Sequence, residues 1–210
     1  MPLNDNGRNA CCTGGLGNAI LYVSAHTGIP DSTGSNEATG GSPAYARQSV
    51  TWAAASTGTR ANSGALTPLD VAAGTYYALG FWSAVTAGTF YGWVPLNGTL
   101  KGYGTVDTAG VTSNDIVSPV HGLAANDRVI LNSVFGSSLP SGLNATTAYH
   151  VISTGLTTDA FRISTTQGGS AVDITGAGEL FWQKIIPETF AAQGQISVAS
   201  GALVLDLTGI

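Results

Sequence analysis

Residues 76–96 read YYALGFWSAVTAGTFYGWVPL. Two runs rich in aromatic and branched residues, 76–84 and 89–96, flank the short stretch VTAG (85–88), which is how a strand, a tight connection and a second strand are written. Upstream, AILYVSAHT (19–27) alternates apolar and polar residues and is followed by the turn-rich IPDSTGSNEATGGSP (29–43). ARQSVTWAAAS (46–56) and SGALTPLDV (63–71) repeat the theme, each bounded by Gly, Ser, Thr or Pro at the spacing of a β-sandwich. Trp52, Tyr76, Phe81, Trp82, Phe90 and Trp93 are expected to fill the space between two sheets. Residues 3–18 hold candidate N-caps, Asn4 and Asp5, for a short helix broken by glycines.

Composition agrees with this all-β reading. Hydrophobic residues make up 43 % of the 210 and charged residues only 9 %, against roughly 25 % charged in an ordinary soluble domain. Ser, Thr and Asn carry the polarity, and 29 glycines mark frequent turns. So little charge removes the usual guard against self-association and points to a fixed oligomer or assembly. The net charge of −5, two lysines (Lys101, Lys184) and five scattered arginines (Arg8, Arg47, Arg60, Arg128, Arg162) argue against a nucleic-acid partner. No apolar run is long enough for a membrane-spanning helix, and the first residues lack a signal-peptide layout.

After Leu96 the texture changes. GYGTVDTAGVTSNDIVSPVHGLAANDRVIL (102–131), SVFGSSLPSGLNATT (133–147), AYHVIST (148–154), DAFRIST (159–165) and AVDITGAGELFWQ (171–183) describe about six short strands with tight turns. The last stretch, from Lys184, returns to the first texture, with ISVAS and ALVLDL read as a closing hairpin turning at Gly201. The expected fold is therefore a discontinuous β-sandwich, residues 1–100 and 185–210, with a small β-barrel-like domain, 101–184, inserted into it.

Chemistry-bearing residues are sparse. Cys11 and Cys12 are adjacent and are expected to be reduced, and His26, His121 and His150 stand apart without metal-ligand spacing, so no metal or cofactor is expected. There is no GxSxG elbow, and acids such as Asp173, Glu179, Glu188 and Asp206 read as turn or strand-end residues, so the chain reads as non-enzymatic. Asp31, Asp107, Asp115 and Asp127 fall in expected turns, as do the sequon-like NGT at 97 and NAT at 144. His121, in PVHGL, reads as a turn residue bonding a backbone carbonyl, with a groove shared with Tyr149 and His150 as the alternative. Aromatic faces also stack on sugar rings, and Tyr91, Trp93, Tyr103 and Trp182, which flank the insertion, are the candidate exposed contacts for a glycan or partner.

The runs GGSPAYARQSVTW (40–52) and LGFWSAVTAGTFYG (79–92), with the closing PETFAAQGQISV (187–198), resemble small tail-fibre-like virion proteins of phages of actinobacteria and related hosts. The pattern HGLAANDRVIL, LPSGLNATTAYHVIST and DAFRISTTQGGSAVDITGAGE is similar to a β module of many phage tail and fibre proteins. The resemblance implies a virion protein of the tail or tail-fibre type, assembled in the bacterial cytoplasm, packing as a homo-oligomer (a trimer) with other virion proteins and contacting the host surface. A capsid decoration or head-fibre protein and a virion-borne carbohydrate-binding module are the alternatives.

Overall fold

The computed structural model describes residues 9, 13–98, 100–134 and 137–206. Cys11, Cys12, Asn4 and Asp5 lie outside them, and of the N-terminal helix only a short segment that includes α1 (Leu16–Ala19) is described. The chain divides into two compact units, one formed by residues 1–94 and 188–210 and the other by residues 95–187. Both are β-structures, in line with the all-β expectation.

In the discontinuous unit, β1 (Tyr22–His26), β2 (Gln48–Ser49), β6 (Ala78–Trp82) and β7 (Phe90–Pro95) form a four-stranded sheet in the order β2-β1-β6-β7. The three short strands between, β3 (Thr59–Ala61), β4 (Leu69–Val71) and β5 (Gly74–Tyr76), pair with the C-terminal segment in reverse order. Thus β14 (Glu188–Phe190) lies on β5, β15 (Gly194–Ile196) on β4 and β16 (Val204–Asp206) on β3, all antiparallel. From Leu69↔Ile196 to Ala61↔Val204 both sides advance eight residues, whereas between Gly74↔Phe190 and Val71↔Gly194 one side advances three and the other four. The three ribbons are therefore one long antiparallel pairing, interrupted by loops and offset once by a single residue, as at a bulge.

This corrects the expected closing hairpin. Among the described residues ISVAS and ALVLDL form no strand pair with each other; Gly201 does sit in a turn at φ 76°, but its N–H donates to the Asn62 carbonyl, while Asn62 Oδ1 accepts from the Leu203 N–H. Asn62, 2 % exposed, also donates through Nδ2 to the carbonyls of Gly64 and Ala199, so one buried amide ties the two chain segments together. ARQSVTWAAAS likewise gives only the two residues of β2. Past them the chain bends, and Trp52 donates its indole N–H to the Ile20 carbonyl at 2.9 Å.

The second unit is a closed six-stranded antiparallel barrel in the order β10-β11-β12-β9-β8-β13. Its strands are β8 (Lys101–Val106), β9 (Ile116–Val117), β10 (Arg128–Ser133), β11 (Tyr149–Ile152), β12 (Ala160–Ser164) and β13 (Gly178–Ile185). Alternate residues of these strands, among them Val129, Leu131, Val151, Phe161, Leu180 and Trp182, fill the interior, and Leu139 and Leu143 of the 133–147 loop pack against it. Closure leaves the barrel no open sheet edge.

Between β8 and β9 lies a helix the strand pattern concealed, α2 (Thr108–Ser113). Asp107 caps it, accepting from the Gly110 N–H at 2.6 Å, and Asn114 ends it in the left-handed region at φ 63°. Asn114 Oδ1 then accepts from the Ile174 N–H at 2.7 Å, which anchors the helix end to the loop before β13. Asp107→Ala is expected to lower barrel stability by about 1 kcal/mol, read as a shift in the urea midpoint of the circular dichroism signal.

Candidate functional site

The geometry that matters most in the barrel follows from the period of two along a strand. Phe181 and Trp182 are neighbours on β13, so they project to opposite faces. Trp182 points inward and is 3 % exposed, whereas Phe181 points outward and is 46 % exposed. The inward space for an indole comes from β8, where Gly102 stands opposite Trp182; a Cβ on Gly102 would lie 2.6 Å from the ring. Trp182 donates its N–H to Ser118 Oγ at 2.9 Å, and Ser118 donates to the Tyr103 carbonyl at 2.6 Å. The expectation of an exposed Trp182 is thereby corrected: the indole is a core residue with its polar atom satisfied.

His121 packs edge-on against Phe161 and Trp182. Its Nδ1 accepts from the Leu123 N–H at 2.9 Å, so Nε2 carries the proton and donates to the carbonyls of Thr157 and Ala160. This is the turn role read from the sequence. Tyr149 is in the barrel core with its hydroxyl accepting from the Asn144 N–H, while His150 lies opposite Arg128 and Ser164 on neighbouring strands. Asp31 and Asp127 hold turns, Asp31 by accepting from Thr33 and Ser35 and Asp127 from the Ala124 N–H. Asn144 of the NAT sequence likewise accepts from the Thr146 N–H. Asp115 instead pairs with Arg162 at 2.6 Å.

On the outer face of the barrel, three neighbouring strands place Asn132, Phe181 and Tyr103 in one rung. The Tyr103 and Phe181 rings meet edge to face with centroids 5.9 Å apart. With Lys101 and Gln183 they border a groove of about 350 Å³. Of the aromatic residues singled out from the sequence, Tyr103, 42 % exposed, keeps an exposed ring at this groove; a hydrogen bond to Glu179 raises its pKa. Phe181 was not among the sequence candidates. Tyr91 and Trp93 belong to β7 in the other unit, Tyr91 exposed and Trp93 half-buried, both on the face opposite Phe90, which packs on Trp82 at 4.9 Å.

That other unit holds a second polar cluster. Arg47 lies over the Trp82 ring at 3.5 Å, binds Glu37 through both Nε and Nη2 at 2.7 Å, and donates through Nη1 to the carbonyls of Ala84 and Ala87. Tyr45 donates to the same carboxylate and accepts from the Ala25 N–H. On the other side of Trp82, its indole N–H donates to Ser24 Oγ at 2.9 Å and Ser24 donates to His26 Nε2 at 2.7 Å, leaving Nδ1 to donate to the Ser35 carbonyl. Ser24 and His26 have the spacing of a nucleophile and its base. Both are 0 % exposed, however, and the histidine is oriented by a carbonyl instead of a carboxylate, so the pair acts as a buried polar tie.

Burial lowers the pKa of His26, and burial together with Arg128 lowers that of His150. The unfolded chain then binds more protons than the folded one in the interval below the ordinary histidine value. Stability is expected to be full above about pH 7 and to fall as the pH drops towards 5. His26→Gln should flatten part of that slope in urea titrations at several pH values.

Among the described residues, no three His, Cys, Asp or Glu side chains gather as a metal site, and no helix is long and apolar enough to cross a membrane. No curated protein and no solved structure matches the chain. A family model described as Podophage GP4 fiber I protein gp80 matches residues 18–118, which run from α1 and the four-stranded sheet through β8, α2 and β9 of the barrel. Over that span, the chain is similar to a phage fibre protein, which supports a structural component of a virion fibre.

Proposed function

We propose that this chain is a non-enzymatic structural protein of a phage fibre, acting by packing into the particle. The observation that carries the reading is the likeness of residues 18–118 to a podophage fibre protein. The physical character of the chain supports it: an all-β build with few charges, in which buried polar groups such as Arg47 and Asn62 are spent on internal ties. Subunits would meet through complementary apolar and polar surface, with the outer edge of β7 available for main-chain pairing between copies. A homo-trimer, attached to other virion proteins at the tail, is the assembly we favour.

Immunogold electron microscopy of intact particles, with antibody against the purified chain, tests the placement. Label confined to the tail or its tip supports the tail-fibre reading. Label over the head would overturn that placement and leave decoration of the shell as the role. Sedimentation equilibrium of the purified chain tests the trimer, and a monomer at all concentrations would overturn it.

A further inference from the structure

We propose that the outer face of the barrel, centred on Tyr103 and Phe181, binds a neutral pyranose oligosaccharide. The inference rests on the reading of the chain as a fibre component, because it assigns that component a ligand. Four features of the face point to this class of ligand.

Two large rings are exposed side by side, edge to face, on neighbouring strands of a closed barrel. Such rings offer an apolar plane to the C–H face of a sugar. Around them stand Asn132 and Gln183; Gln183 Nε2 donates to the Gly98 carbonyl, and its oxygen together with the Asn132 amide offers partners to sugar hydroxyls. Lys101 borders the groove, and Glu179, outside its lining, is hydrogen-bonded to Tyr103, so charges of opposite sign stand near the rings, which favours a neutral ligand over an anionic polymer. The groove of about 350 Å³ is the size of a small-ligand cleft.

Two other occupants fit less well. An extended peptide would bind by adding a strand, but the closed barrel has no free edge to extend. A second copy of the chain would need roughly 800 Å² of complementary surface per partner, and here two rings sit among amide and charged side chains. The platform is also preorganised: Gly102 and Trp182 fix the strand backbone beneath it, so little ordering is left for binding.

The test screens the full chain against an array of neutral hexose and N-acetylhexosamine oligosaccharides, followed by calorimetric titration with the strongest binder. Phe181→Ala and Tyr103→Ala are each expected to weaken binding by about tenfold or more, with circular dichroism unchanged because both side chains are exposed. Tyr91→Ala, in the other unit, is expected to bind like the parent. Absence of binding across the array overturns the proposal, as does equal binding by Phe181→Ala. If Phe181→Ala instead lowers the oligomeric state and no glycan binds, the face is an interface between copies and the proposal is overturned. Gold label on the particle together with a blank array would leave the fibre reading standing while removing the glycan site.

Discussion

Trp182→Ala is expected to destabilise the barrel by about 3–5 kcal/mol, the usual range for removing a large aromatic from a core. The loss has two parts, a cavity and a broken hydrogen bond. The indole sits in the barrel interior against His121 and Phe161, and its removal leaves a cavity that six hydrogen-bonded strands cannot collapse around. Ser118 loses the N–H it accepts. The cavity is enlarged by Gly102, which has no side chain to fill the space the ring leaves. With a typical domain stability of about 5–15 kcal/mol, the variant barrel would be left marginal. Gly102→Val, made alone, should also destabilise, by overpacking against the same ring. Phe181→Ala, one residue away but on the outer face, is expected to change stability by no more than about 0.5 kcal/mol. Urea denaturation followed by circular dichroism compares the three.

The second large effect is expected at Arg47. Replacing it by methionine removes the partner of Glu37 and the donors to Ala84 and Ala87 in one step, and should cost about 2–4 kcal/mol, somewhat under a fully buried pair because Glu37 keeps contact with solvent. Arg47→Lys should recover little, since a point charge cannot bind both carboxylate oxygens, stack on Trp82 and reach two carbonyls together. Glu37→Gln added to Arg47→Met should recover part of the loss by neutralising the stranded carboxylate. Thermal unfolding of the parent, Arg47→Met, Glu37→Gln alone and the double variant checks the cycle, with Arg47→Lys measured beside them.

The Arg47 cluster also shows how much the sequence disclosed. The two runs that carry the family resemblance, GGSPAYARQSVTW and LGFWSAVTAGTFYG, are the ones that meet in space: the first supplies Tyr45 and Arg47, the second Trp82, Ala84 and Ala87. Their joint presence is legible; the contact between them is not, because long-range pairing of an arginine with an indole leaves no local pattern. The six strands of the second texture are visible from their alternation and turns. Its helix α2 is hidden by Thr and Val, which read as strand, and by Gly110, a weak helix former, although Asp107 and Asn114 mark both of its ends.

The C-terminal segment misleads for a different reason. ISVAS and ALVLDL, joined by a glycine turn, satisfy the local rule for a hairpin, but partners at Leu69–Val71 and Thr59–Ala61 compete for the same strand edges and win. At the candidate site, the sequence points to the right strand of the barrel and the wrong face of it. Phe181 and Trp182 are adjacent, and only the register sets which one is inside. The signal is present in Gly102 and Gly104 on β8, since small residues at alternate positions mark the face on which a neighbouring strand carries something large.

Quantitative mass spectrometry of gradient-purified particles of the phage that encodes the chain decides whether it is a structural part of the virion. A trimeric fibre protein should be present in every preparation at a fixed ratio to the other structural proteins, in a copy number divisible by three. Its absence from infectious particles, or an amount that varies from one preparation to the next, would show that the chain is not built into the virion.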